Sequence, residues 1–508
     1  MSKKSGIVRS TMQVTIITFL IKILGLLKQS IIAAYCGATD ETDAFFIATG
    51  ILVQLCVVVF SAISISLLTI HTDIYVNEGR EKSNELINGA LRVFLPIALV
   101  ISVIFFLGSS LAARAFAPTY NDDQLQTLSH YIRIMSCSFV IWCYYLIINV
   151  ILETDKRFLP AKGQSFFQNL FLIIGAMLFY RNYGMTALVY GFLLSGLVQC
   201  ILVTWCARKD FCVLFKKIDV RAQIKSLLAL SIPLIVGSAI YEINDIVDKQ
   251  ISTGLGMGNV SYLTYGGTIN EIVTGVVVSS VSVVLFSHFA TWVAKGDIEQ
   301  VEINIRRVIE YLTILILPIM IMCLGAGDQI VKILYGRGNF GDIDVQLTYG
   351  VVIGYAVGFI FQAARANIVR VYYAFQDTRT PMVNGALSVA INIVLSLVLS
   401  KYIGATGIAL ATSIAMLIVT ILLFKGVKKY LPHFAIMHSI REIIKGVCAS
   451  CASGAILIVL RRILNYNLYI DFIIEGIIVV AIYLLLLFVM KSECLKFALN
   501  RAENNLHK

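Results

Sequence analysis

From Thr11 to Met490 the chain returns again and again to apolar stretches about as long as a bilayer core is thick, parted by short polar breaks. A hydrocarbon core of about 30 Å is crossed by about 20 helical residues. Backbone groups in lipid must find partners inside the structure, which leaves helices or closed barrels, and continuous apolar runs of this length suit helices. Breaks at charge, Gly or Pro predict helices near residues 11–36, 43–71, 89–115, 129–152, 166–180, 185–207, 226–250, 262–294, 308–324, 347–373, 382–399, 405–424, 442–460 and 470–490. The expected fold class is an all-α polytopic membrane protein with about fourteen transmembrane helices. Composition agrees: 58% of residues are hydrophobic and only 14% charged, and the mean hydropathy is +0.85. A large soluble domain has no room.

Lys and Arg gather on alternate breaks. One set carries Arg80 and Lys82, then Lys156, Arg157 and Lys162, then Arg208, Lys209, Lys216, Lys217, Arg221 and Lys225. It continues with Lys295, Arg306 and Arg307, with Arg379, with Lys425 to Lys445, and with Lys491, Lys496 and Arg501. The breaks between are short and neutral or acidic, such as Asp40 and Glu41, Asn121 to Asp123, Gly254 to Asn259, and Asp342 and Asp344, with only scattered bases such as Arg181, Lys401, Arg461 and Arg462. Basic loops stay in the cytoplasm, so both termini are expected there. This rule and anionic headgroups account for the net charge of +11, and no nucleic-acid partner is expected. Lys3, Lys4 and Arg9 precede a run that holds Lys22 and Lys28 and lacks a small-residue cleavage site, which reads as a retained first helix.

An internal repeat is visible. Gly184-Met-Thr-Ala-Leu-Val-Tyr-Gly191 aligns with Gly404-Ala-Thr-Gly-Ile-Ala-Leu-Ala411, and Glu153 to Pro160 matches Gln376 to Pro381. The repeat predicts two pseudo-symmetric six-helix lobes around a central cavity, residues 1–210 and 211–430, followed by a helix pair and cytoplasmic tail at 431–508.

Ionisable groups within spanning helices are costly and mark candidate sites. In the first helix Lys22 and Lys28 stand about 120° apart, with Gly25 between them to allow a bend. Two cations there suit an anionic headgroup, while long Lys stems also snorkel to an interface. The seventh helix carries Glu242, Asp245, Asp248 and Lys249; a self-neutralising Asp245–Lys249 pair and a substrate or ion site both fit. Glu271 and Arg365 lie deep in the eighth and tenth helices. Asp43 opens the second helix, where a cap and a gate are alternatives. Soluble-enzyme signatures such as a Walker A loop, HExxH and GxSxG are absent from the sequence, so the chain reads as a transporter with no catalytic residues. Its drive is the membrane potential or coupling to Na+ or H+.

Several strings resemble the MurJ lipid II flippase family, which shares a superfamily with the MATE exporters. They are Lys22 to Lys28, Ala34 to Gly37, Thr42 to Phe46, Val247 to Lys249, Tyr265 to Glu271, Leu334 to Phe340 and Tyr372 to Pro381. The resemblance implies an alternating-access flippase of a bacterial cytoplasmic membrane with cell-wall synthesis proteins as neighbours; nothing in the sequence suggests an obligate oligomer, so a monomer is expected. A cationic cavity would take the diphosphate-sugar head of lipid II, with the prenyl tail in lipid or a groove by the last two helices. Lys22 and Lys28 stand where the family has arginines, and Asp43 and Glu271 match its acidic positions. Asp248, Lys249 and Arg365 complete the substrate-binding set. Two family arginines fall at Cys56 and Thr268 here, which bears on which saccharide is carried. A monovalent cation set of Asp245, Asn392 and Thr412 is implied, although one carboxylate position reads Ser396. Alternative readings are a flippase for a capsule or O-antigen unit, a MATE-like cation-coupled drug antiporter, and a scaffold in an envelope-synthesis complex.

Overall fold

The computed structural model describes residues 2–209, 221–275, 289, 291–434, 437–464 and 466–495, with side chains from residue 18 onward except at 221, 241, 437 and 438. Lys216, Lys217, Lys496 and Arg501 of the expected cytoplasmic set lie outside the described residues, as do the side chains of Lys3, Lys4, Arg9 and Arg221. All regular structure among the described residues is helical.

The chain forms two compact units, Met1–Ser261 with Arg337–Gly341, and Tyr262–Gly336 with Asp342–Lys508. The first holds α1 (Ser2–Cys36), α2 (Asp40–Cys56), α3 (Ala62–Asn77), α4 (Arg80–Leu107), α5 (Ser109–Phe116), α6 (Asp122–Met135) and α7 (Ser138–Thr154). It continues with α8 (Phe158–Ala161), α9 (Gln164–Ile174), α10 (Tyr180–Tyr183), α11 (Thr186–Ala207) and α12 (Arg221–Thr253). Helix α12 packs on α2 and α3 and so groups with the first unit, whereas the sequence reading opened the second lobe at residue 211. The second unit holds most of α13 (Asn259–Val273), then α14 (Ile298–Tyr335), α15 (Asp342–Ala356), α16 (Phe359–Ala374), α17 (Arg379–Ile403), α18 (Ala405–Val427), α19 (Met437–Ile463) and α20 (Leu468–Val489).

Among the described residues eleven helices are long and apolar enough to cross a membrane, or twelve when α15 and α16, bent by 42°, count as one span. The expected fourteen is not reached for two identifiable reasons. The fifth expected helix is assembled from α9, a π turn at Gly175–Phe179 and α10, and Gln168, Asn169 and Arg181 interrupt its apolar run. The eighth begins as α13 and enters residues outside those described.

The repeat is written in backbone geometry. Gly184 has φ 56° and ψ −150°, and Gly404 has φ 60° and ψ −145°. Each precedes a long helix, α11 and α18. The turns upstream match as well, since Lys156 (φ 60°) and Gln376 (φ 61°) are left-handed. Lys156 N donates to Glu153 O (3.0 Å) and Arg157 N to Leu152 O (2.7 Å), while Gln376 N donates to Tyr373 O and Asp377 N to Tyr372 O, both at 3.0 Å. Each is a Schellman turn that satisfies the last carbonyls of its helix.

Alternate breaks also segregate within each unit. In the first, Arg80 pairs with Asp155 at 2.7 Å and Arg157 Nη1 donates to Cys206 O at 2.9 Å, so three basic breaks meet. At the other group of breaks, Gln250 Nε2 donates to Ala115 O (2.9 Å) and Thr119 bonds Thr253 (2.9 Å). In the second unit Tyr430 OH donates to Asp377 (3.0 Å) and His433 N to Glu302 (3.0 Å), whereas Tyr262 OH donates to Asp344 (2.7 Å).

Candidate functional site

The expected site residues divide between the two units. Lys22, Lys28, Asp43, Asp245, Asp248 and Lys249 belong to the first, and Glu271, Arg365, Asn392 and Thr412 to the second.

On α1, Lys22 is exposed and Lys28 half-buried. The helix runs unbroken through Gly25. Gly25 makes room for a neighbour: a Cβ there would lie 3.5 Å from Asn169 Nδ2, and that amide donates to Ile21 O at 3.4 Å. A small residue lets helices approach closely in lipid.

Asp43 is 2% exposed. Thr39 is the N-cap of α2, its hydroxyl accepting from Thr42 N, which corrects the capping alternative for Asp43. Its carboxylate reaches instead to the turn that opens α13 and accepts from Gly258 N (2.8 Å), Ser261 N (2.8 Å) and Ser261 Oγ (2.5 Å). Asp43 is a clamp between α2 and that turn. A second clasp holds the glycine-rich loop at Arg337–Gly341 onto α1: Arg337 bonds Ser30, Asn339 N donates to Ala34 O at 2.8 Å, and Asn339 Nδ2 donates to Tyr35 O at 2.6 Å. Gly338 has φ 62° with its Cα against the Ala34 carbonyl, where a Cβ would collide.

On α12 Asp245 and Lys249 pair at 2.7 Å. Gln54 of α2 donates to the same Asp245 oxygen, and the Lys249 amine lies against Gly50, the position a Cβ there would claim. Asp248 is 5% exposed and accepts from Asn244 Nδ2 at 3.1 Å. Cys56, at a family arginine position, is fully enclosed, so its surroundings are closed over a small side chain.

In the second unit Glu271 is exposed at the end of α13. Its neighbour Asn270 accepts from Gln362 Nε2 of α16 at 3.2 Å, and Arg365 follows one turn later, half-buried. Thr268, at the other arginine position, donates to Thr264 O at 2.9 Å. Asn392 Nδ2 donates to Thr412 Oγ1 at 2.9 Å and Ser396 Oγ to Asn392 Oδ1 at 3.4 Å, which knits α17 to α18. Asp245 is thus paired with Lys249, and the Asn392, Thr412 and Ser396 side chains bond one another. Among the described residues no group of three or more His, Cys, Asp or Glu could hold a metal.

Outside the spans, Asp377 carries the best-satisfied carboxylate of the repeat turns. Burial works to raise its pKa, but the Thr380 amide and hydroxyl, Tyr430 and Lys429 outweigh that and hold it below the usual carboxylate range. A polar cleft of about 770 Å³ in the first unit has Glu41, Arg114, Asp122, His130 and Arg133 in its wall and none of the expected site residues in its lining.

A family model described as "Lipid II flippase MurJ" matches residues 32–477. The chain belongs to this family. Among MurJ relatives, the probable lipid II flippase of Thermotoga maritima is 23% identical over 98% of this chain and 99% of its own length. That of Rhizobium meliloti is 27% identical over 79% of this chain and 77% of its own. A solved structure of lipid II flippase MurJ in an inward closed conformation covers 93% of this chain and 97% of that one, with 25% identity and a TM-score of 0.80. An inward-facing multidrug resistance MATE family transporter covers 82% of this chain and 95% of its own at 11% identity and a TM-score of 0.69, which is likeness of fold. Asp43, Asp248, Lys249, Glu271 and Arg365 lie within the residues matched to the MurJ model, and Lys22 and Lys28 precede them.

Proposed function

We propose that this multi-pass membrane protein flips an undecaprenyl-diphosphate-linked saccharide, lipid II, from the cytoplasmic to the outer leaflet by alternating access. The observation that carries the reading is the MurJ family match over residues 32–477. The MATE likeness, at 11% identity, speaks to fold and gives no support to drug export. In this reading the protein sits in a bacterial cytoplasmic membrane with both termini in the cytoplasm, and the segregation of basic breaks supports that orientation.

Lys22, Lys28 and Arg365 supply the positive charge that draws the diphosphate. A lysine meets phosphate as a point charge and gives up the bidentate geometry of arginine. Asp43 closes the turn at 258–261 against α2, and the Asp245–Lys249 pair fixes α12. The drive is the membrane potential, at about 2.3 kcal/mol per charge per 100 mV, or a coupled H+ or Na+.

The deciding experiment is growth of cells depleted of their own lipid II flippase. The chain should restore it, and failure despite normal membrane expression would sink the lipid II cargo. Lys22→Ala and Lys28→Ala should abolish rescue without loss of folded protein, while Lys→Arg at either position is tolerated; equal rescue by both alanine variants removes these lysines from the mechanism. The enclosed Cys56 and the bonded Thr268 favour one second reading, the same flippase acting on a capsule or O-antigen unit, which predicts rescue of a polysaccharide-export mutant instead.

A further inference from the structure

The C-terminal pair, α19 and α20, packs on α14, and one carboxylate in that contact has no counter-charge. Glu475 of α20 is 1% exposed. Its Oε1 accepts from Gln329 Nε2 of α14 at 3.4 Å. Its Oε2 is enclosed and meets no hydrogen-bond partner, as do two oxygens on the facing stretch of α14, Asp328 Oδ1 and Gln329 Oε1. The nearest cation is already engaged: Arg461 of α19 bonds Asp328 Oδ2 and Gly325 O, both at 2.5 Å. Gly325 directly precedes the kink at Ala326, whose φ of −132° leaves the helical range. The same three helices also bring together the buried apolar side chains Met322, Ala326, Leu457 and Val479.

The charges around Glu475 are Asp328 from α14, Arg461 from α19 and Asp471 from its own helix, with Tyr349 of α15 beside Asp328. Lys332, one turn beyond Asp328, is paired with Asp342 at 2.8 Å. Asp328 and Arg461 cancel, so an ionised Glu475 leaves this contact with an uncompensated negative charge, which costs several kcal/mol in such surroundings. Three enclosed acceptor oxygens without a donor call for a hydrogen, and a carboxylic acid supplies one.

We propose that Glu475 is a proton-binding site, with the hydrogen on Oε2 and the enclosed oxygens of Asp328 and Gln329 as its acceptors. Binding takes a proton from hydronium and leaves water; release returns it to water and leaves the carboxylate. Occupancy closes the contact between α20 and α14, and release opens it to water. The site is independent of the cargo.

The test uses the full chain in lipid nanodiscs. At neutral pH the infrared spectrum should show a carboxylic-acid carbonyl band that shifts on 13C-labelling of Glu, not of Asp, and that is lost in Glu475→Gln. Raising the pH should remove the band and lower the melting temperature of the wild type, while Glu475→Gln, permanently neutral, melts at a temperature that does not follow pH. An ionised carboxylate at neutral pH, or the same pH response in both proteins, overturns the proposal. Loss of the acid band on adding sodium at fixed pH also overturns it, in favour of a metal cation. Should Glu475→Gln fail to fold, the 13C shift and its titration in the wild type decide alone.

Discussion

A carboxylate with almost no exposed surface survives only where donors meet it, and Asp43 meets three from one turn. Bonds to a charged group contribute about 1.5–3 kcal/mol each, and a donor left unmet in the interior costs about 1–3 kcal/mol. Asp43→Ala should therefore release the amides of Gly258 and Ser261, speeding their hydrogen exchange by at least about tenfold, the equivalent of ~1.4 kcal/mol. Ser261→Ala removes one donor to the carboxylate and should cost about 1.5–3 kcal/mol, with exchange at Gly258 little changed. Unchanged exchange in Asp43→Ala would show that the turn is held by something else. The residues of this clamp differ in how readable they were. Asp43 stood out as a carboxylate at a helix start, but its partners are 215 and 218 positions away, and nothing in a glycine-rich turn announces them. The Asp245–Lys249 pair could be read from i,i+4 spacing alone, while Gln54, 191 positions from Asp245, could not.

Elements were legible where the sequence carries periodic text. The Gly184 and Gly404 strings align without gaps, and their backbones agree to within a few degrees. Positive φ with ψ near −150° is open essentially to Gly alone, and strain there is worth about 1–3 kcal/mol. A Cβ at Gly404 would meet nothing within 4 Å, so the loss in Gly404→Ala is purely one of backbone and should lower stability by that amount. The paired Schellman turns predict the opposite sign. Lys156 and Gln376 occupy a left-handed position that costs a side-chain-bearing residue about 1–2 kcal/mol. Glycine removes that strain and gives back part of it as unfolded-chain entropy. Lys156→Gly and Gln376→Gly should each stabilise the fold by a few tenths to about 1 kcal/mol and so raise the melting temperature; a fall at either would break the equivalence of the two turns. The fifth expected helix was less readable, because a π turn at Gly175–Phe179 leaves no mark in an apolar pattern.

Over the whole molecule, the alternation of basic and acidic breaks makes a claim that hydrogen bonds test independently. Charge counting puts the breaks near residues 80, 156 and 208 in one set, and Arg80–Asp155 and Arg157–Cys206 join these three. It puts those near 40, 120 and 256 in the other, and Asp43, Thr119 and Gln250 join these. In the second unit, Tyr430–Asp377 and His433–Glu302 link breaks of the basic set, and Tyr262–Asp344 links breaks of the other. Among the described residues these bonds join breaks of one set only, as spanning helices produce, and in the proposed orientation the set rich in Lys and Arg is the cytoplasmic one. In a cysteine-free background, a membrane-impermeant maleimide applied to intact cells should label Asp123→Cys and Ile343→Cys, both exposed. It should reach Glu78→Cys and Lys295→Cys, equally exposed, only after the membrane is opened. The reverse pattern would invert the protein and carry the expected direction of flipping with it. Labelling of Asp123→Cys without Ile343→Cys would place an odd number of spans between them, and α13 with the residues that follow it would then fail to cross.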